Sequence, residues 1–278
     1  MKKMNKQQKG KNVFQIIVSV FLTVFFLEIL LSVFLMAGPF NERILERGIT
    51  ESGFIQKSVE EFKLDWQEAL KERELEENFG EELVEDSILY SAFINGMETD
   101  GAWEEDAEEL KQALEKEMKE YLKSKDIEEN EKAIQVTSQF LKEIITSYKS
   151  YIQPVFIKKF HIIKSQVKKQ LCLFLIISIL CGSISCLYLL KSSPYYHQGI
   201  RYVSISFLSA MVFLGVGMGY VYHQLNGWIT ALEPLFYQEL LIEYKKYFVQ
   251  TAAIIAVVGI GIFILLQLLV YQMKHRGK

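Results

Sequence analysis

The chain has 278 residues, is 50% hydrophobic and carries a formal net charge of −3 at pH 7. Its apolar residues gather in four long runs that contain a single carboxylate, Glu28, and such runs exclude a wholly water-soluble globular protein. No basic face with interleaved aromatic residues occurs, which argues against a nucleic-acid partner.

The first apolar run, residues 13–37, predicts a transmembrane helix, because about 20 residues at 1.5 Å per residue cross the hydrocarbon core. The run follows five lysines and is longer than the apolar part of a cleaved signal peptide, so we expect an uncleaved signal anchor. The other runs show no alternation with a period of two, which favours helices over a barrel. They predict further spans over residues 171–190, 203–222 and 251–270.

The segment between the first two spans, residues 38–170, is strongly acidic. Residues 51–131 hold 27 Asp and Glu against 9 Lys and Arg. Four apolar stripes at helical spacing nevertheless predict amphipathic helices rather than a solvated tail. The stripes are Ile55/Val59/Phe62/Trp66/Ala69, Val84/Ile88/Ala92/Gly96 beside Leu89/Phe93/Met97, Ala107/Leu110/Leu114/Tyr121, and Ile134/Leu141/Ile144/Ile145/Tyr148/Ile152/Val155.

Turn residues predict the breaks between these helices. Asn78-Phe79-Gly80 would separate the first from the second, and Asn95-Gly96 with Asp100-Gly101 would separate the second from the third. An even number of helices returns the chain to the membrane. We therefore expect an all-α polytopic membrane protein, with four transmembrane helices and an extracytoplasmic antiparallel helical bundle inserted between helices 1 and 2.

The orientation follows from lysine and arginine, which are in excess in cytoplasmic segments. We expect a multi-pass protein of the cell membrane with both termini in the cytoplasm. Its cytoplasmic segments would be the N-terminus (1–12), a loop (191–202) and the C-terminal tail (271–278). The domain 38–170 and a short aromatic interfacial loop, 223–250, would lie outside. Five lysines just before the second span argue the other way, although long loops translocate largely regardless of charge.

Glu28 is the candidate intramembrane polar site, because an ionisable group at mid-depth is costly unless it is protonated or paired. Its expected partners are serines of the third span, Ser204, Ser206 and Ser209, or serines of the second span, Ser178, Ser183 and Ser185. Two interpretations stay open. Glu28 is either a protonated structural residue hydrogen-bonded to a neighbouring helix or a functional group.

Sequence patterns for catalysis are missing. No phosphate-binding loop, dinucleotide motif, His-Glu-x-x-His pattern or twelve-residue calcium loop occurs, and the closest nucleophile pattern is Ser165-x-x-Lys168. We therefore expect no enzyme, no cofactor and no metal site. All three cysteines lie in the second predicted span, which predicts no disulfide in the acidic domain.

Three functions remain open at this point. The first is a non-enzymatic sensing, binding or accessory-subunit protein that acts through its acidic domain, with the lipid bilayer and a membrane-protein partner or a second copy as partners. The second is a transport component, because the arrangement of spans resembles that of bacterial mechanotransmitting ABC permeases, in topology alone. That resemblance implies an ATPase partner. The third is a membrane-embedded hydrolase that uses Glu28 or Ser165.

Overall fold

The computed structural model describes residues 6–98, 102–126, 131–152, 155–232 and 235–276. Within these ranges the chain forms helices and short turns and contains no strand, so the all-α prediction is confirmed. The helices are α1 (Lys6–Ala37), α2 (Glu42–Glu51), α3 (Phe54–Glu72), α4 (Asp86–Glu98), α5 (Ala102–Ser124), α6 (Glu131–Tyr151), α7 (Val155–Ser192), α8 (Tyr196–Ile229) and α9 (Leu235–Arg276), with a 3₁₀ turn over Glu81–Val84.

Within the part of the chain that the structure describes, four helices are long and apolar enough to cross a membrane, which agrees with the number of predicted spans. These candidate spans cover Lys11–Ala37, Ile162–Ser192, Tyr196–Ile229 and Leu235–His275. Most of the expected outer loop 223–250 is instead helical, because α8 continues to Ile229 and α9 begins at Leu235. Helical backbone bonding requires no apolar side chains, so a helix can extend beyond the run that sets its hydropathy.

The chain divides into two compact units. We call Met1–Gly48, Lys164–Glu233 and Leu241–Lys278 the membrane unit, and Ile49–Ile163 with Pro234–Leu240 the helical unit. The helical unit is shorter than the predicted domain 38–170. The residues just before and after it, including most of the unpredicted helix α2, belong to the membrane unit.

Contacts within the membrane unit fix the direction of its helices. Gln15 bonds Ser192 while Glu28 bonds Ser178, so α1 and α7 are antiparallel. A three-residue turn, Ser193–Tyr195, joins α7 to α8 and reverses the direction again. The helix α8 is therefore parallel to α1, against which it packs closely.

The fourth span reverses once more. Gln267 of α9 bonds Ser204 of α8, and Gly259 of α9 faces Met211, farther along α8, so α9 and α8 are antiparallel. The described start of α1, the turn Ser193–Tyr195 and the last part of α9 therefore lie at the same end of the membrane unit. We call this the turn end.

Helices α3 to α6 form the core of the helical unit. They contact one another in a closed ring, α3 on α4, α4 on α5, α5 on α6 and α6 on α3. Aromatic side chains fill the centre, and Phe54, Phe62, Phe93 and Phe140 are fully buried. Such rings bury large apolar areas and dominate the packing energy of a core.

The predicted stripes are largely confirmed. Val59, Phe62, Trp66 and Ala69 are buried, as are residues of the other three stripes, including Leu89, Leu114 and Ile144. Two predicted positions are wrong, because Ile88 and Ile134 are 46% and 57% exposed. Val84 is buried but lies in the 3₁₀ turn rather than in α4, and Met97 and Val155 have side chains that are not described.

The predicted breaks have mixed outcomes. The break at Asn78-Phe79-Gly80 is confirmed, because α3 ends at Glu72, α4 begins at Asp86 and Gly80 has a φ of 67°. The predicted separation of the second helix from the third is confirmed, because α4 ends at Glu98 and α5 begins at Ala102. The dipeptide Asn95-Gly96, however, lies inside α4. A glycine inside a helix costs only about 1 kcal/mol, which packing of neighbours such as Phe93 outweighs. Asp100-Gly101 lies outside the described residues.

Candidate functional site

Glu28 lies on α1 and is half-buried, and its partner comes from α7. The Ser178 hydroxyl donates a hydrogen bond to Glu28 Oε2, and Ser178 is fully buried. The contact joins two candidate spans. Because a serine hydroxyl does not titrate near neutral pH, this pair suits a structural link between helices better than a proton relay.

The serines of α8 bond elsewhere. Ser206 Oγ lies 2.7 Å from Ser19 Oγ and donates to the Ser19 carbonyl oxygen over 2.8 Å. Ser204 Oγ accepts a hydrogen bond of 2.9 Å from Gln267 Nε2. Among the hydrogen bonds of the described residues, none joins Ser204, Ser206 or Ser209 to Glu28.

Helix geometry explains why the predicted group of residues separates. Ser19 faces α8, and Glu28 follows it nine residues later. Nine residues at 3.6 per turn amount to two and a half turns, so the two side chains lie on opposite faces of α1. Glu28 therefore faces α7, and the sequence alone does not reveal which neighbouring helix lies on which face.

Ser165 and Lys168, the weak nucleophile pattern, are both exposed on α7. No hydrogen bond among the described residues joins them. Lys168 lies with Lys164, Glu42 and Arg43 around a cavity of about 300 Å³ at the end of the membrane unit opposite the turn end. The Lys164 ammonium pairs with the Glu42 carboxylate over 2.7 Å, which favours an electrostatic role for these lysines.

A second cavity, of about 640 Å³, opens at the turn end. We call it the turn-end cavity, and its lining residues are Lys11, Asn12, Gln15, Ser192, Pro194, Gln198, Arg201, Tyr202 and Ile205. The described lining has two cations and no carboxylate. The sequence did not predict this site, because nothing local brings residues 11 and 201 together.

The surface of the helical unit is charged, and several ion pairs cross between its helices. Arg73 of the α3 C-terminus pairs with Glu143 of α6, and Lys63 of α3 pairs with Asp86 of α4. These pairs are partly or largely exposed and contribute little stability individually. They leave a large excess of carboxylates over lysine and arginine, since residues 51–131 of this unit hold three acidic residues for every basic one.

Asp106 on α5 differs from the other carboxylates. Its Oδ2 is buried without a hydrogen-bond partner. Burial, assisted by the neighbouring charges of Glu109 and Glu105, raises the pKa of the Asp106 carboxyl. Among the described residues, no group of three or more His, Cys, Asp or Glu side chains is arranged to hold a metal ion.

Comparison with protein-family models, curated proteins and solved structures finds no match to this chain.

Proposed function

We propose that this chain is a multi-pass protein of the cell membrane whose acidic helical unit works outside the cytoplasm as a non-enzymatic sensing or binding domain. The observation that carries the proposal is the direction of the four spans. The described start of α1, the described end of α9 and the α7–α8 turn belong to one end of the membrane unit, so the charges of the sequence segments that adjoin them can be counted together.

The orientation is supported by this count. The three sequence segments that adjoin these places, residues 1–12, 191–202 and 271–278, hold no Asp or Glu, and they hold Lys2, Lys3, Lys6, Lys9, Lys11, Lys191, Arg201, Lys274, Arg276 and Lys278. Short segments rich in lysine and arginine stay in the cytoplasm. Residues 49–163 of the helical unit, which come in sequence between the first two spans, then lie on the other side.

A binding role is supported by the charge of the helical unit. Its aromatic core stabilises the helices from within, so the acidic exterior is not needed for packing. A surface with this excess of carboxylates attracts a basic protein or cationic peptide over several ångströms, and salt screens the attraction. We prefer this function to a transport component, because the turn Ser193–Tyr195 leaves little room for a helix that couples to an ATPase.

Site-directed labelling tests the orientation in intact cells. The background variant replaces Cys172, Cys181 and Cys186 by serine, and single cysteines are then introduced as Ser138→Cys on α6 or Tyr196→Cys at the start of α8. A membrane-impermeant maleimide should label Ser138→Cys in intact cells and Tyr196→Cys only after permeabilisation. The reverse pattern would overturn the proposed orientation.

Two charge variants of opposite sign test the binding role in the full chain. Deletion of residues 50–150 should abolish the function of the protein in cells. Replacing four exposed residues of α5 by glutamine, namely Glu105, Glu108, Glu109 and Glu120, should weaken that function. Replacing the exposed Lys116 and Lys119 of the same helix by glutamine should not. If the chain without residues 50–150 inserts into the membrane and functions fully, the helical unit has no such role.

A further inference from the structure

We infer that the turn-end cavity binds the phosphate group of an anionic ligand, supplied by a phospholipid headgroup or by a soluble phosphate compound. The inference rests on the membrane unit alone. It does not depend on which side of the membrane the helical unit faces or on what that unit binds.

The cavity is built from three helices. Lys11, Asn12 and Gln15 come from the start of α1, Ser192 comes from the end of α7, and Arg201 comes from the first turns of α8. Its volume of about 640 Å³ is ample for a phosphate with its attached group. The three helices converge here because α1 and α8 are parallel and α7 is antiparallel to both.

The chemistry of the lining favours an anion. Lys11 and Arg201 supply two positive charges, and the described lining contains no carboxylate to neutralise them. A guanidinium offers a planar fork of N–H donors that fits two phosphate oxygens, and a lysine ammonium adds a point charge. The amides of Asn12 and Gln198 and the hydroxyl of Tyr202 add further donors.

Fixed contacts hold the wall of the cavity in place. Gln15 is only 3% exposed, and its Nε2 lies 3.1 Å from Ser192 Oγ and 3.4 Å from Ser193 Oγ. The α7–α8 turn is tight, since a Cβ atom on Gly199 would lie 2.8 Å from the Leu189 carbonyl oxygen. A site whose wall is already ordered binds its ligand at a lower entropic cost.

The level of the cavity indicates a lipid as the nearest source of phosphate. Lys11 lies just before the first apolar run, residues 13–37, and Ser192 lies just after the second, residues 171–190, so the cavity opens where the apolar runs stop. Headgroup phosphates lie at this level, and basic pockets between transmembrane helices bind anionic headgroups. A soluble phosphate compound would reach the same residues from the aqueous side.

Binding is tested on the purified full chain in detergent, by native mass spectrometry with phosphatidic acid, phosphatidylglycerol or phosphatidylcholine. The test variant carries Lys11→Gln with Arg201→Gln. Its control carries Lys191→Gln with Lys274→Gln, which removes the same charge at the same end from residues outside the lining. We expect the test variant to bind the anionic lipids at least about tenfold more weakly than the native chain, and the control to bind within about twofold.

Inorganic phosphate distinguishes the two sources. If it displaces the bound lipid at millimolar concentration, a soluble phosphate compound fits the site; if it does not, the lipid is the ligand. Equal losses in the test and control variants, or phosphatidylcholine binding as tightly as the anionic lipids, would overturn the inference. Arg201→Lys keeps the charge but loses the fork, and it gives a second measurement, with an intermediate loss expected, if the double variant does not fold.

Discussion

The two units of this molecule place their apolar side chains in opposite ways. In the membrane unit large apolar residues point outward, and Phe213, Val216 and Val257 are 62%, 68% and 71% exposed. In the helical unit Phe54, Phe62 and Phe93 are completely buried. The same residue types therefore serve two different solvents, and exposure of an apolar side chain is costly only where water is the solvent.

Polar contacts differ between the units in the same sense. The membrane unit buries its polar side chains between helices, as in the contacts of Ser178, Ser204 and Ser206. The helical unit keeps its ion pairs near the surface, such as Lys63 with Asp86. Because lipid offers no hydrogen-bond partners, polar groups in a span must find them inside the protein.

The largest expected difference in stability is between two variants that each remove an aromatic ring, one from each unit. Phe62→Ala empties part of the aromatic core and should lower the stability of the helical unit by about 3–5 kcal/mol. Phe213→Ala removes an equally large ring that the membrane unit leaves exposed, and it should cost less than about 1 kcal/mol. Thermal unfolding of the purified chain in detergent, with limited proteolysis of each unit, measures both.

This pair of variants can also contradict the comparison. If Phe213→Ala destabilises the chain as much as Phe62→Ala, then Phe213 is covered by a partner or a second copy rather than by lipid. In that case the exposed faces of the spans are interfaces.

The next effect concerns two glycines of the helical unit with nearly the same backbone conformation, Gly53 (φ 64°) and Gly80 (φ 67°). A Cβ atom on Gly80 would lie 2.6 Å from the Trp66 ring, whereas nothing lies within 4 Å of a Cβ on Gly53. Gly53→Ala should therefore cost only the strain of the left-handed conformation, about 1 kcal/mol. Gly80→Ala should cost about 2–4 kcal/mol, because it adds a clash in the core.

The difference between the two melting temperatures isolates the contact with Trp66. Gly80 is also held by its backbone N–H, which donates to Glu117 Oε1 over 2.9 Å. Equal losses for the two glycine variants would show that the Trp66 ring moves aside freely and that the core near Gly80 is loosely packed.

The fold was predictable from the sequence to the extent that it depends on local patterns. A long apolar run and a stripe at helical spacing are both properties of neighbouring residues, and they predicted the four spans and the stripe of α3. Phe140 was missed although it is fully buried, because its contacts with Trp66 and Phe79 come from distant parts of the chain. The predicted burial of Ile88 and Ile134 was wrong, because an apolar stripe can extend beyond the part of its helix that a neighbouring helix covers.

The candidate site was predictable only in its residue types. Glu28 and the serines could be named from composition, but their pairing depends on the rotation of each helix about its axis. The turn-end cavity depends on more, because Lys11 and Arg201 meet only after α1 and α8 align in parallel. The alignment of helices that are distant in sequence is a property of the tertiary structure, and hydropathy does not predict it.

A smaller effect is expected at the Glu28–Ser178 contact, which tests polar pairing inside the membrane unit. Glu28→Gln retains a hydrogen-bond acceptor and should change the melting temperature little. Glu28→Leu and Ser178→Ala each remove the contact and should cost about 0.5–2 kcal/mol. Ser209→Ala, at a serine that makes no bond to Glu28, is the control, and a loss there equal to that of Ser178→Ala would contradict the pairing.

The smallest effect concerns the buried oxygen of Asp106 and its dependence on pH. The pKa of Asp106 is raised in the folded chain, chiefly by burial, so folding favours the protonated form. Its contribution to stability is therefore fully present below the usual carboxyl pKa of about 4 and is lost as the pH rises through the raised value. Asp106→Asn removes the charge and should raise the melting temperature near neutral pH, by less than about 1 kcal/mol in stability, with no gain at low pH. Melting curves from pH 4 to 7, with Glu120→Gln on the same helix as control, measure the difference, and a gain that is constant across this range would mean that the effect comes from shape rather than from charge.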